Sequence, residues 1–246
     1  FQVLVGTDIK VNQTYRGPLL KTIEQIAESF KPWNPGTELT VGLFSSVVPE
    51  FDERAFREAL VNAFGHRDYS LLGRVRVLVD DAGLTIANPG GFVEGINVHN
   101  LLTAEPRGRN PCLMDALKRT GLAERTGRGI DRIFEGALNY GRPLPDYSRS
   151  NRRGVSVLLP RSVPDKAFVE LLAEERERSG KSMSLDGLLI LDKLKSERRC
   201  GFDVLSGSLD MSDQRLRTVL GQLTEAGLVE SAGVGARRTY MLGAKV

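Results

Sequence analysis

The 246-residue sequence is poor in the residues that mark metal, disulfide and membrane proteins. Its two cysteines, Cys112 and Cys200, lie far apart and lack metal-ligand spacing, so we expect reduced thiols. His99 has no second ligand near it in the sequence, which argues against a metal site there. No apolar run approaches the roughly 18 residues of a membrane span, and there is no signal peptide. These absences predict a cytoplasmic protein without a membrane segment.

An excess of charge of one sign is also missing. The 34 basic and 31 acidic residues leave a net charge of +3, too small to indicate nucleic-acid binding from composition alone. The apolar fraction of 41% and the charged fraction of 26% are ordinary for a globular protein. The length allows one large domain, or a domain of about 150 residues with a smaller one. Because the sequence begins at Phe1 rather than Met, we expect a further segment before it.

Residues 1–160 alternate between strand-like and helical patterns. GRVRVLVD and LTIANP alternate apolar and polar residues and are joined by DAG, which predicts a β-hairpin. Helices are predicted in PLLKTIEQIAESF, after a capping Asp52, in CLMDALKRTG and in IDRIFEGALNYG. Short strands are predicted in FQVLVG and GVSVLLP. The mixture indicates an α+β fold class.

The helix after Asp52 carries polar residues beside an apolar stripe. In REALVNAFGHRDYS, Glu58 and Asn62 are spaced i, i+4 and lie on one face of the helix. Polar groups at the edge of a core need partners or a ligand. A carboxamide oxygen is a competent Mg²⁺ ligand, and a carboxylate one turn away can orient or deprotonate water. The pair is therefore a candidate nucleotide and metal site, with a solvated or capped pair as the alternative.

Two glycine motifs follow along the chain. NPGGF holds Asn88, Gly90 and Gly91 directly after a predicted strand, where paired glycines let the backbone approach a ligand and Asn88 can meet a base edge. TGRGI opens a helix, whose N-terminal N–H groups suit phosphate. Its candidate nucleotide-binding residues are Thr126, Gly127 and Gly129. Each motif alone is more often a cap or turn, but their order and spacing predict one nucleotide site.

Four further polar residues have two interpretations each. His66 either contacts a phosphate from the end of its helix or caps that helix, whose C-terminus favours a cation. Arg109 and Asn110, together with Arg107 in EPRGRNP, either close over phosphates as a lid or belong to a solvated loop. The sequence leaves both questions open.

These motifs resemble those of the GHKL ATPases, which include gyrase and sensor histidine kinases. EALVNA resembles their Glu-x-x-x-Asn-Ala box, LTIANPGGF the first glycine box and RTGRGIDRIFEGA the second. REALVNAFGHRDYS, NPGGF, RNP and ERTGRGIDRI together resemble more closely the RecG C-terminal-like ATP-binding module of bacterial and archaeal transcriptional regulators, over about residues 1–160. The resemblance implies a two-layer α/β sandwich of GHKL type that binds ATP and Mg²⁺. It assigns water activation to Glu58 and the metal to Asn62.

One position departs from the GHKL pattern. GHKL proteins have an Asp in the first glycine box, and its carboxylate accepts a hydrogen bond from the adenine amino group. Asn88 stands at that position, and its amide oxygen can accept the same bond without charge assistance. An alternative alignment gives the role to Asp81 and Gly83, which serve better as the hairpin turn. In the RecG C-terminal-like group an AlbA/Schlafen-like domain usually comes first, which fits a segment before Phe1.

Residues 184–246 have a pattern of their own and resemble the winged helix of bacterial regulators. LDGLLILDKLKSE, DVLSGSLD and SDQRLRTVLGQLTEAGLVE are predicted helices, and LVESAGVGARRTYML is a predicted two-stranded wing. The resemblance places the third helix in the major groove of DNA. It nominates as DNA contacts Gln214, Arg215 and Arg217 on that helix and Arg237 and Arg238 on the wing. Nine basic and eight acidic residues give this segment little attraction to DNA, so a protein-interaction or dimerisation module is the alternative.

The chain is thus expected to hold a GHKL-like domain at 1–160, a helical connector at 161–183 and a winged helix at 184–246. Three functions compete. The first is a bacterial transcriptional regulator in which ATP occupancy repositions a DNA-binding winged helix. The second is an active Mg²⁺-dependent ATPase that drives a conformational cycle. The third is a degenerate nucleotide domain and winged helix that serve protein assembly, possible homo-oligomers included. A histidine kinase is not expected, because neither His66 nor His99 lies on a phosphoacceptor helix.

Overall fold

A five-stranded mixed sheet organises the first part of the chain in a computed structural model that describes residues 1–41, 44–123 and 127–243. The strands of this part are β1 (Gln2–Val5), β2 (Asp8–Asn12), β3 (Gly36–Val41), β4 (Phe44–Pro49), β5 (Arg76–Asp80), β6 (Gly83–Pro89) and β7 (Gly154–Pro160). The order in the sheet is β2-β1-β5-β6-β7, in which β1 and β5 are parallel and the other neighbours antiparallel. Strands β3 and β4 pair with each other as a separate antiparallel hairpin.

Four helices accompany these strands: α1 (Leu19–Phe30), α2 (Glu53–Gly65), α3 (Pro111–Arg119) and α4 (Gly129–Leu138). The start of α2 is fixed by Asp52, whose side chain accepts hydrogen bonds from the backbone N–H groups of Arg54 and Ala55, both at 2.9 Å. Helix α2 packs on β6 and α3. Its Phe56 ring stacks on Phe30 of α1 with centroids 4.1 Å apart, so burial of aromatic surface fixes these two helices together.

Helix α4 lies close to α2 because the residue of α4 at their contact is a glycine, Gly136. A Cβ added at Gly136 would lie 2.7 Å from the Cβ of Ala55, closer than two carbon atoms can approach. This close packing brings the N-terminal residue of α4, Gly129, beside the polar face of α2. The packing of α2 on β6 and its close contact with α4 define the part of the fold that holds the candidate site.

The chain divides into two compact units, Phe1–Ala137 with Arg142–Val163, and Leu138–Gly141 with Pro164–Val246. The second unit contains α5 (Lys166–Ser179), α6 (Leu185–Glu197), β8 (Arg199–Gly201), α7 (Phe202–Leu209), α8 (Asp213–Glu225), β9 (Val229–Ala232) and β10 (Thr239–Leu242). Its three strands form an antiparallel sheet in the order β8-β10-β9. Leucines of α6, α7 and α8 form the core, with Leu191, Leu205 and Leu216 fully buried. The sequence-based boundaries at 160 and 183 remain predictions.

The predicted α+β fold class is confirmed, and so are several of its parts. The hairpin pairs Asp80 with Gly83 across the DAG turn. The helices predicted in LDGLLILDKLKSE and SDQRLRTVLGQLTEAGLVE are α6 and α8, whose first turns donate capping bonds from the backbone to the side chains of Ser184 and Ser212 respectively; the cap at Ser184 was not predicted. Four strands, β2, β3, β4 and β8, were not predicted. Within the described part of the chain, none of the helices has the length and hydrophobicity of a membrane-spanning segment.

Candidate functional site

A cavity of about 580 Å³ lies in the first unit between α2, the β6–β7 pair and the chain that connects β6 to α4. The register pairs Ile86 with Val157 and Asn88 with Val155, so these four side chains share the face of the sheet that lines the cavity. Helix α2 lines the opposite side. A cavity that is mostly apolar with a few converging polar groups is the usual form of a small-molecule site.

Helix α2 presents three polar side chains to the cavity at intervals of four residues. Glu58, Asn62 and His66 all line it, as the i, i+4 spacing predicts. The carboxylate of Glu58 is nearly inaccessible, at 1% exposure, and its Oε1 lies 3.5 Å from Nη1 of Arg132. A buried charge requires such a partner. The carboxamide of Asn62 is half-buried, and among the described residues it has no hydrogen-bond partner.

His66 ends α2, where its backbone N–H donates to the carbonyl of Asn62 at 2.9 Å. Burial, and secondarily the positive charge of Arg109, lower the pKa of the His66 imidazole below its usual value of 6.5. At neutral pH the ring is therefore neutral, which disfavours its interpretation as a cation at the helix C-terminus. A neutral imidazole in the cavity can donate one hydrogen bond and accept another.

The turn after β6 is held by contacts within the protein. Asn88 is 7% exposed, and its Nδ2 donates to the carbonyl of Pro89 at 3.0 Å. Gly90 has a φ of +92°, and a Cβ there would lie 2.6 Å from the Cβ of Asp68. A Cβ on Gly91 would lie 2.7 Å from the carbonyl oxygen of Asn151. Packing thus accounts for both glycines, and Asn88 and Gly91 also line the cavity.

The second glycine motif meets α2 directly. Gly127 has a φ of +78°, a conformation that glycine adopts without strain, and it lines the cavity with Gly129. A Cβ on Gly129 would lie 2.8 Å from Oε2 of Glu58 and 3.7 Å from Nδ2 of Asn62. The backbone at the start of α4 therefore closely approaches both polar residues of α2. Thr126 lies outside the described residues.

Arg109 and Asn110 do not line the cavity; both fasten the chain beside it. Nη2 of Arg109 donates to the carbonyl of Gly91 at 2.8 Å, and its Nη1 lies 3.5 Å from a carboxylate oxygen of Asp68. Nδ2 of Asn110 donates to the carbonyls of Gly65 and Arg67, at 2.9 and 2.8 Å, and so satisfies acceptors at the end of α2. Asn110 therefore holds the connecting chain to the end of α2, and Arg109 holds it to the turn after β6 and to Asp68.

The cations that do line the cavity are different ones. They include Arg107 and Lys118, neither of which has an ionic partner among the residues that the structure describes. Lys118 was not predicted as a site residue. Lys118 follows Met114 by four residues on α3, so the two share a helix face, but nothing in the sequence marks that face as lining a cavity. Tyr147, which is 6% exposed and lines the cavity, was missed as well.

The DNA-contact candidates all lie in the second unit, and two of them are already paired. Nη2 of Arg215 lies 2.7 Å from Oδ1 of Asp186, in a two-pronged ion pair that its Nε completes with the other oxygen. The guanidinium of Arg217 stacks 4.4 Å over the ring of Phe202. The exposed candidates without an ionic partner in the described ranges are Gln214, Arg237 and Arg238.

Residues 73–159 match the sequence model of a family described as "Putative ATP-dependent DNA helicase recG C-terminal". No curated protein matches the chain. Among solved structures, the chain is similar to the DIP2311 protein from Corynebacterium diphtheriae, with 22% identity and a TM-score of 0.80. The alignment covers 98% of this chain and 51% of that one, so this chain spans about half the length of its structural relative. The family match supports an ATP-binding, HATPase-like domain in the part of the chain that contains β5, β6 and β7.

Proposed function

We propose that the first unit binds ATP with Mg²⁺ in the cavity, and that the second unit is a winged helix whose contact with DNA depends on the nucleotide. The observation that carries the first part is the convergence of Glu58, Asn62 and the backbone of Gly129 within one cavity. The protein would act as a bacterial transcriptional regulator in the cytoplasm, as the sequence resemblance implies.

Each wall of the cavity suits one part of a nucleotide. The apolar face of β6 and β7 suits a base, and the N–H groups at the start of α4 suit phosphates. The carboxamide of Asn62, to which no described residue hydrogen-bonds, fits Mg²⁺, which keeps several waters and needs few protein oxygens. When bound, Mg²⁺ would neutralise phosphate charge. Arg107 and Lys118 supply further positive charge at the cavity.

Calorimetric titration with a non-hydrolysable ATP analogue and Mg²⁺ tests the nucleotide site. We expect micromolar binding that Asn62→Ala weakens by about tenfold, which corresponds to about 1.4 kcal/mol. Asn139→Ala, at an exposed position outside the cavity, is the matched control and should bind as the unaltered protein does. If the unaltered protein shows no binding of the ATP analogue, the proposal is contradicted.

Hydrolysis is a second candidate activity, favoured by the nearly complete burial of Glu58 at the cavity. A carboxylate there can orient or deprotonate a water that attacks the terminal phosphate. Glu58→Gln should lower phosphate release by about 100-fold while nucleotide binding persists. Glu105→Gln makes the same charge change at another cavity-lining position and should leave the rate unchanged. Equal rates in the two variants would exclude Glu58 as the catalytic residue.

The DNA part of the proposal is supported by the element order α6-β8-α7-α8-β9-β10, which is that of a winged helix. Arg237 and Arg238 lie between β9 and β10, where a wing meets phosphates. Log affinity for DNA falls as log salt concentration rises, and joint replacement of the two arginines by alanine should make this slope shallower by about 2. The control is the double variant of Arg176 and Lys181, two exposed cations elsewhere in the unit.

Dependence on nucleotide is measured in the same assay with and without the ATP analogue. We expect a change of DNA affinity that disappears in Asn62→Ala. No DNA binding under any condition, with stable oligomers instead, would support protein assembly as the role of the second unit.

A further inference from the structure

Two nearly buried polar side chains lie at the sheet end of the cavity without complete hydrogen bonding. Tyr147 is 6% and Asn88 7% exposed, and both line the cavity. The hydroxyl of Tyr147 has no hydrogen-bond partner among the described residues. Asn88 donates from Nδ2 to Pro89, which leaves its carboxamide oxygen as an acceptor. Neither atom is among the fully enclosed unpartnered atoms of the described residues, so both can be reached from the cavity and can hydrogen-bond a ligand or water there.

The position of Tyr147 does not depend on its hydroxyl. Asp146 and Leu158 exchange two backbone hydrogen bonds of 2.8 Å, which tie the preceding loop to β7. The Tyr147 ring lies nearly parallel to that of Phe134, at 8° and 6.4 Å, and 6.3 Å from the ring of Phe92. Aromatic packing and backbone bonds therefore hold the ring in place. Removal of the hydroxyl should leave the fold intact.

We propose that the Tyr147 hydroxyl hydrogen-bonds the base of the bound nucleotide and, together with Asn88, selects that base. This inference rests on the nucleotide site proposed above. Adenine presents an amino donor next to a ring-nitrogen acceptor, and the carboxamide oxygen of Asn88 and the hydroxyl of Tyr147 offer the complementary pair. Burial raises the pKa of Tyr147, so the phenol keeps its proton and remains a donor at neutral pH.

The test compares two probes that share phosphates and differ in the base. Calorimetry with a non-hydrolysable ATP analogue and with inorganic triphosphate, both with Mg²⁺, is carried out on the unaltered protein and on Tyr147→Phe. We expect the variant to bind the ATP analogue about three- to tenfold more weakly and inorganic triphosphate equally well. Tyr240→Phe removes a hydroxyl from a similarly buried tyrosine in β10 and should change neither affinity.

Each other outcome overturns the inference in a distinguishable way. If the unaltered protein binds neither probe, the nucleotide site itself is wrong. If it binds the ATP analogue and Tyr147→Phe binds it equally well, the site stands and the role of Tyr147 fails. If the variant loses both probes in the same proportion, Tyr147 acts through the structure of the cavity rather than on the base.

A double-mutant cycle with Asn88→Ala gives a second check. Two residues that contact one base should show a coupling in their effects on ATP-analogue affinity, whereas independent residues show additive effects. Additive losses would contradict joint recognition of the base.

Discussion

Replacing Gly129 by alanine separates the requirements of the helix from those of the ligand site. The backbone of Gly129 does not adopt the left-handed conformation, so alanine fits it; at the first position of α4 the gain in helix propensity should be smaller than the roughly 1 kcal/mol of a helix interior. The new Cβ would, however, lie 2.8 Å from Oε2 of Glu58, where ordinary contact begins at 3.4 Å. Glu58 is buried and paired with Arg132, so it cannot move freely into solvent to make that room.

The expected result follows from these opposing terms. Overpacking costs about 1–3 kcal/mol, so the free energy of unfolding should fall by roughly 0–3 kcal/mol after the smaller propensity gain is subtracted. If the proposed site is right, affinity for the ATP analogue should fall by about tenfold or more, because the methyl group would occupy the place proposed for a phosphate and would shift the carboxylate of Glu58. Urea unfolding and calorimetry measure the two quantities on one preparation.

A matched control is available in the second unit. Gly221 lies within α8, and a Cβ there meets no atom within 4 Å. Gly221→Ala should raise the free energy of unfolding by about 0.5–1 kcal/mol and leave nucleotide affinity unchanged. If Gly129→Ala stabilises the protein equally and binds nucleotide normally, the close approach of Gly129 to the site has no functional meaning and the reasoning is refuted.

Three further changes have defined outcomes. Asp52→Ala removes the cap of α2 and should lower the free energy of unfolding by about 1 kcal/mol in urea titrations; an unchanged value would mean that water replaces the cap. Because the folded-state pKa of His66 is lowered below 6.5, falling pH protonates His66 in the unfolded chain before it protonates His66 in the folded protein. The free energy of unfolding should therefore be greatest above about pH 6.5 and fall as the pH drops toward the folded-state pKa of His66. In the His66→Gln variant this dependence should disappear, as measured by urea midpoints from about pH 5 to 7.5. Asp186→Asn frees Arg215 and should steepen the salt slope of DNA binding by about 1, measured by fluorescence anisotropy; an equal slope would show that Arg215 makes no phosphate contact.

The parts of the fold that depend on local sequence were predictable. The α6 helix begins and ends where the predicted helix does, because Ser184 caps it and leucines recur at helical spacing. The β5–β6 hairpin follows from alternation and the DAG turn. Glu58 and Asn62 share a helix face by spacing alone. Each of these features needs only residues within a few positions of one another.

The features that depend on distant residues were not predictable in the same way. Strand β2 is almost wholly exposed and β8 has three residues, so neither shows a buried periodicity. The hydrogen bonds of Arg109 and Asn110 join positions 18 to 45 residues apart. A loop arginine therefore gives the same sequence signal whether it contacts a ligand or the backbone of its own protein.

The glycines of the two motifs show how the structure changes the weight of a sequence signal. Gly90 and Gly91 are explained by the approach of Asp68 and Asn151, since side chains at either position would collide with the protein itself. A glycine explained in this way says little about a ligand. Gly129 differs, because a Cβ there would meet the carboxylate of Glu58 and the carboxamide of Asn62, two of the polar side chains that α2 presents to the cavity. The proposed nucleotide site is therefore supported mainly by the meeting of α2 and α4, and much less by the glycine pair after β6.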